Sequence, residues 1–275
     1  MPAKSSKKRK QTQLLAFEDT DFLMRDEMRA YRLALEFERA ELRLRDQGIK
    51  STVVVFGSAR ANLPRKPEKP AKAAKSKKLG RGSQQVILEH ELWYQEARRF
   101  GKLVSELGGA LSAKAGVREN VIATGGGPGI MEAANRGAAD AGAATIGFNI
   151  QLPTEQRANR YITPSLSFDF HYFAVRKMHF AMRANALAVF PGGFGTLDEL
   201  FEILTLKQTH KTKGMPVVLF CRSYWENIIN FSALAELGMI APEDLAQFEI
   251  VDTAEEGWEA MLKRGLSIST PLHGA

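Results

Sequence analysis

The chain carries a single cysteine, Cys221, in 275 residues. One thiol excludes an intramolecular disulfide framework and any zinc site built from several cysteines. No apolar run approaches the ~18 residues that a membrane-spanning helix needs. The basic start MPAKSSKKRK is not followed by the apolar core of a secretory signal. His90, His171, His179, His210 and His273 show no metal-ligand spacing. There is no GxxxxGK[ST] stretch, which disfavours a triphosphate P-loop, and Ser58 lacks the GxSxG elbow of a hydrolase triad. The expectation left is a reduced, cytoplasmic protein with no membrane partner and no metal or redox cofactor.

Acidic charge is scarce only locally. The net charge is +7. Residues 1–10 hold five basic side chains and no acid, and residues 60–81 hold nine against Glu68 alone. The other 243 residues therefore carry six more acids than bases. The basic excess belongs to appendages, so nucleic acid is not expected as the main partner of the body.

Positions 62–85, NLPRKPEKPAKAAKSKKLGRGSQQ, have three prolines, many lysines and few large apolar residues. Such a stretch cannot bury enough surface to offset its ordering entropy and reads as a disordered basic loop. Residues 1–18 read as a basic tail of the same kind, and 19–48 as an N-terminal helix. There Met24, Met28, Tyr31, Leu35 and Leu42 recur near helical spacing, with Asp19 or Thr20 as cap and Gly48 beyond the end. Residues 49–268 form the main domain.

In that domain short apolar runs alternate with helical patterns. Strands are predicted at 52–56, 121–123, 144–148, 187–190 and 216–220, with helices at 86–107, 130–141 and about 195–209. Continuous apolar strands between helices imply a mostly parallel sheet covered on both faces, a doubly wound, Rossmann-like α/β domain. Cys221, Trp93, Trp225 and Trp258 read as packing residues.

Three predicted strands end in small-residue turns: Gly57-Ser58, Gly125–Gly129 (GGGPG) and Gly192–Thr196 (GGFGT). Ligands of open α/β sheets bind outside the carboxyl ends of the strands, and glycine turns before helices suit a phosphate. The third glycine of a dinucleotide fingerprint is replaced by Ile130, which weakens a nicotinamide reading. Thr196 and Glu199 also have capping-box spacing, so Glu199 reads either as an N3 capping residue or as a carboxylate within reach of a sugar. Arg176-Lys177 reads either as a solvated pair or as part of the site. Asp198, about 100° round the helix from Glu199, is expected to point elsewhere.

The stretch Gly125–Ala138 (GGGPGIMEAANRGA) together with Pro191–Glu199 (PGGFGTLDE) resembles the Lonely Guy family, often labelled lysine decarboxylases, whose signature is PGGxGTxxE. The likeness covers roughly residues 50–225. It implies a phosphoribohydrolase that cleaves a nucleoside 5'-monophosphate, AMP or a cytokinin nucleotide, to free base and ribose 5-phosphate. It also implies a homo-oligomer, dimer or larger. The implied catalytic pair is Arg176 and Glu199. Implied substrate contacts are Gly126, Gly127, Glu155, Arg176, Lys177, Gly192, Gly193, Gly195, Thr196 and Thr205. Phe173 and Ala174 stand where short members have Met-His, and 170–177 (FHYFAVRK) is similar to the longer subgroup, which leaves base preference open. Alternatives of the same fold are a non-catalytic binder resembling molybdenum-cofactor carriers and a decarboxylase needing pyridoxal phosphate on a lysine.

Overall fold

The computed structural model describes residues 14–61, 81–111, 116–152, 157–212 and 214–268. Seven strands form one all-parallel sheet in the order β4-β3-β2-β1-β5-β6-β7. They are β1 Thr52–Phe56, β2 Val121–Thr124, β3 Ile146–Ile150, β4 Ser167–Phe170, β5 Ala184–Val189, β6 Val217–Phe220 and β7 Glu249–Val251. The chain runs outward from β1 to β4, then returns to place β5 on the other side of β1, in register from Val53↔Ala186 to Phe56↔Val189. That reversal is the topological switch point, where open α/β sheets bind their ligands.

Alternation along β1 explains why the sheet is covered on both sides. Val54 and Phe56 enter one core with Ala40, Leu44, Val175, Phe180, Leu200, Ile203 and Trp225. Val53 and Val55 enter the other with Tyr94, Phe100, Val104, Ala133, Trp258 and Met261. The first layer comprises α2 Arg29–Asp46, α5 Phe173–Met182, α6 Phe194–Gln208, α7 Arg222–Ile228 and α8 Phe231–Glu236. The second comprises α3 Arg81–Leu107, α4 Ile130–Asp140 and α9 Ala254–Lys263. Phe100 is fully buried and meets Phe190 and Phe220 edge-on at 6.4 and 5.1 Å. Truncating such a phenylalanine to alanine costs about 3–5 kcal/mol.

The N-terminal helix is broken in two. Asp19 caps α1, Thr20–Leu23, by accepting from Phe22 N at 3.0 Å. Arg25 then turns extended, ψ 150°, and a 3-10 turn at Asp26–Met28 leads into α2. Gly48 ends α2 as expected: its φ is +68°, and a Cβ there would fall 1.8 Å from Gly116 O.

Other expectations are corrected. α3 starts at Arg81, so 81–85 is helix rather than loop; the rest of the predicted loop, 62–80, and residues 1–13 of the tail lie outside the described residues. The third strand lies at Ile146–Ile150, two residues later than predicted. Strands β4 and β7 and helices α5, α7, α8 and α9 were not legible in the apolar pattern. Trp225 and Trp258 are buried, whereas Cys221 is only half-buried and takes a left-handed φ of 76° as the N-cap of α7. Among the described residues no helix is long and apolar enough to cross a membrane.

Candidate active site

The three glycine turns follow β2, β1 and β5, which are neighbours in the sheet. Backbone hydrogen bonds join them. Ser58 N donates to Pro191 O at 2.9 Å, Ile130 N to Ser58 O at 3.0 Å, and Phe190 N to Phe56 O at 2.8 Å. A single rim is built from segments far apart in sequence.

The 125–129 turn is held by buried polar side chains. Gly126 N donates to Thr124 Oγ1 at 3.0 Å. Asn159 donates through its backbone to Gly126 O at 2.8 Å and through Nδ2 to Gly126 O and Gly127 O at 3.2 and 3.1 Å. Asn135 Oδ1 accepts from both Asn159 Nδ2, at 2.9 Å, and Thr124 Oγ1, at 2.7 Å. Each polar atom buried here finds a partner, which makes the network rigidifying rather than costly. Gly126 itself has φ +75°, and a Cβ there would lie 1.9 Å from Asn149 Oδ1. Gly126 and Gly127 are buried. Their backbones therefore shape the rim through this network.

The 192–196 turn differs. Gly192 is half-buried; its carbonyl accepts from Tyr224 OH at 2.5 Å, and a Cβ on it would overlap Thr196 Oγ1 at 2.1 Å. Gly193 and Gly195 are exposed, and a Cβ on either would meet nothing within 4 Å. Gly193 has φ −91°, so left-handed backbone is not the reason for glycine there. Both leave the N-terminus of α6 uncovered, where free N–H groups and the helix dipole favour an anion.

The start of α6 corrects the capping-box reading. Gly193 is the N-cap, and Thr196 N and Leu197 N donate to Gly193 O at 2.9 and 3.0 Å. Thr196 is thus the third helical residue and Glu199 the sixth. Both face inward, 7% and 6% exposed, on one side of the helix with Leu200 and Ile203. Burial pushes Glu199 up to about 7; Lys177 and Arg176 pull it down, and Glu202 and Asp198 push it further up.

Arg176 and Lys177 sit on α5. Arg176 Nε donates to Phe148 O on β3 at 2.8 Å, and its guanidinium lies 5.1 Å from the centre of the Phe180 ring. Burial lowers its pKa, opposed by the attraction of Glu199. Lys177 Nζ stands 2.8 Å from Asp198 Oδ2 and 2.8 Å from Glu202 Oε2. Burial disfavours the Lys177 charge, but those two hydrogen bonds and the charges of Glu199 and Glu202 outweigh it and push the amine up to about 12. Arg176-Lys177 is therefore no solvated pair; Asp198 is exposed where Glu199 is buried, yet it pairs with Lys177.

The structure thus gathers Arg176, Lys177, Glu199, the 192–196 turn and the 125–127 turn at one rim. Thr205 lies farther along α6; its hydroxyl donates to Phe201 O at 2.7 Å. It lines an open groove of about 350 Å³ with Lys177, Asp198, Phe201, Glu202 and Leu206. Glu155 lies outside the described residues. Glu202, Asn135 and Asn159 were missed. The one available signal was Asn135, a polar residue amid the small apolar face of α4.

Over 85 residues, 30% of this chain and 39% of the relative, the sequence is 34% identical to the probable cytokinin riboside 5'-monophosphate phosphoribohydrolase LOGL3 of Oryza sativa subsp. japonica. The chain spans about two fifths of the length of that curated relative. Solved structures similar to it include the molybdenum cofactor binding protein of Rippkaea orientalis, at 19% identity and TM-score 0.47 over 78% of this chain and 96% of that one. A structural-genomics target aligns at 18% identity and TM-score 0.46 over 78% and 99%. A family model described as possible lysine decarboxylase matches residues 131–261. That span is a little under half of the chain; it overlaps the first glycine motif and contains the second, the two stretches that resemble the Lonely Guy proteins.

Proposed function

We propose that the protein hydrolyses the N-glycosidic bond of a nucleoside 5'-monophosphate, AMP or a cytokinin nucleotide, to the free base and ribose 5-phosphate. One observation carries the reading: the buried carboxylate Glu199, within electrostatic reach of Arg176, lies on the helix whose bare glycine start faces outward. Glu199 is five residues beyond that start, about 7.5 Å along the axis at 1.5 Å per residue. A phosphate on the Gly193–Gly195 amides would place its sugar beside the carboxylate.

The chemistry follows from charge. Breaking the C1'–N bond sends its electron pair to the base, which leaves with a proton, and water adds to the cationic sugar carbon. Ionised Glu199 stabilises that cation and takes up the water's proton or holds the ribose hydroxyls. Arg176 favours the ionised carboxylate and adds positive charge for the phosphate. Lys177, held charged by Asp198 and Glu202, keeps a cation at the same rim.

The decarboxylase label would require an amine able to form a Schiff base with pyridoxal phosphate. Lys177 Nζ is already held by Asp198 and Glu202, at 2.8 Å from each carboxylate. Burial and the nearby Arg264 charge lower Lys207 to about 8, but its Nζ is committed to Met215 O and Gln247 O at 2.6 and 2.9 Å. Neither of these two amines is free to form the Schiff base.

The test is a panel of nucleoside 5'-monophosphates, with released base and ribose 5-phosphate measured by chromatography. Base release from AMP or a cytokinin nucleotide is expected. Binding without release from any member of the panel would instead favour a non-catalytic carrier.

A further inference from the structure

Helix α2 lies outside both sequence motifs, yet it grips α5, the helix of Arg176, at both ends. Tyr172 is the N-cap of α5 and forms no side-chain capping bond. A carboxylate from α2 instead holds the two amides that lead into the helix: Glu36 Oε1 accepts from His171 N at 2.8 Å and Glu36 Oε2 from Tyr172 N at 3.2 Å. A carboxylate there satisfies two amides and faces the positive end of the α5 dipole. Arg32 adds a bond from Nε to Tyr172 OH at 3.2 Å while its Nη1 holds Leu23 O and Arg25 O, both at 2.6 Å.

At the other end, Arg183, the C-cap of α5, pairs with Glu41 of α2 and donates to Ile49 O at 3.3 Å. The same Glu41 carboxylate lies 3.4 Å from Nδ1 of His179. His179 is buried and stacks on Phe37 of α2 at 5.1 Å and on Phe148 at 5.9 Å. Phe148 is the residue whose carbonyl accepts from Arg176 Nε. Arg176 is also the fourth residue of α5, and its own N–H donates to Tyr172 O at 3.2 Å, in the turn whose entry Glu36 holds.

We propose that α2 is a positioning element for the active site: Glu36 anchors the entry of α5 through the His171 and Tyr172 amides, and Glu41 fixes the opposite end, so that together they set where the Arg176 guanidinium stands relative to Glu199. This rests on the nucleotide-hydrolase reading of that pair. Glu36 and Glu41 act through α5 and touch no substrate.

The experiment compares the full chain with Glu36→Ala, Glu36→Gln and Glu38→Ala, the last an exposed residue of the same helix. It measures kcat and KM for AMP, melting temperature, and hydrogen exchange of amides 171–176. Misplacing a reacting group by an ångström costs up to ~100-fold. Glu36→Ala is therefore expected to lower kcat by about ten-fold or more, with KM changed by less than about three-fold, and to speed exchange in 171–176. Glu36→Gln keeps one of the two acceptor oxygens and should recover part of kcat, between Glu36→Ala and the parent, and Glu38→Ala should match the parent. Unchanged kcat per folded molecule in Glu36→Ala overturns the proposal, even with a lower melting temperature. If the parent chain releases no base from any nucleotide, the hydrolase reading fails and α2 loses its catalytic role. The exchange arm then decides the anchor alone: faster exchange in Glu36→Ala sustains it and unchanged exchange overturns it.

Discussion

A Cβ placed on Gly125 would stand 2.5 Å from Nη2 of Arg176. The first glycine of the GGGPG turn is therefore small because an arginine fifty-one residues later fills the space beside it. The atom displaced is the tip of a flexible side chain, not backbone, so the fold can absorb a methyl group that the guanidinium cannot. Gly125→Ala is expected to lower kcat by about ten-fold or more, through misplacement of Arg176, while the melting temperature falls by only a few degrees. An activity equal to the parent would show that Arg176 need not stand there.

Arg176→Ala and Glu199→Gln should each abolish base release while the chain stays folded. The two differ in stability. Burial raises the Glu199 pKa to about 7 in the folded state, from an ordinary 4.5. A raised carboxyl contributes stability that is complete below pH ~4.5 and is lost as pH rises through ~7. At about 1.4 kcal/mol per unit, the loss across that window is about 3 kcal/mol. The melting temperature of Glu199→Gln should therefore gain on that of the parent between pH 4.5 and 7. A constant difference across that range would contradict the buried, charge-strained carboxylate.

The same group sets a pH limb on activity. If ionised Glu199 is the working form, kcat should rise with pH through about 7. Glu202 pushes the Glu199 pKa up. Asp198 still pairs with Lys177 when Glu202 is gone. Glu202→Gln should thus move the limb to lower pH, and a pH–rate profile checks the direction.

Gly195 separates stability from binding. It lies inside α6, and a Cβ there meets no protein atom within 4 Å. Alanine is favoured over glycine in a helix by about 1 kcal/mol. Gly195→Ala should raise the melting temperature and, if a phosphate rests on this turn, raise KM for the nucleotide. Thermal unfolding and steady-state kinetics on one preparation decide it.

How much was legible from sequence varies with the reason each element forms. β1, β2, β5 and β6 are buried on both faces, so each reads as an apolar run, and their glycine turns mark the ligand edge. β4 and β7 close the two edges of the sheet with SFDF and EIV, too short and too polar to stand out. α5 has no capping side chain of its own, and its entry is held by Glu36, from another helix. No local pattern can announce such a helix.

What the sequence by itself determined is the alternation of strand and helix, and the two glycine motifs with Arg176-Lys177 and Glu199 as the residues of interest. Those follow from local chemistry: apolar runs must be buried, and glycine turns leave backbone open. The tertiary structure alone decided which charged residues are buried and which of them meet. Thr196 and Glu199 have the spacing of a capping box, yet starting α6 at Gly193 turns both inward and buries the carboxylate. Asp198, Glu202 and Lys177 meet only because the fold brings α5 and α6 within side-chain reach of each other. A side chain's charge state depends on its burial and its neighbours, and neighbours across a sheet are set by the fold.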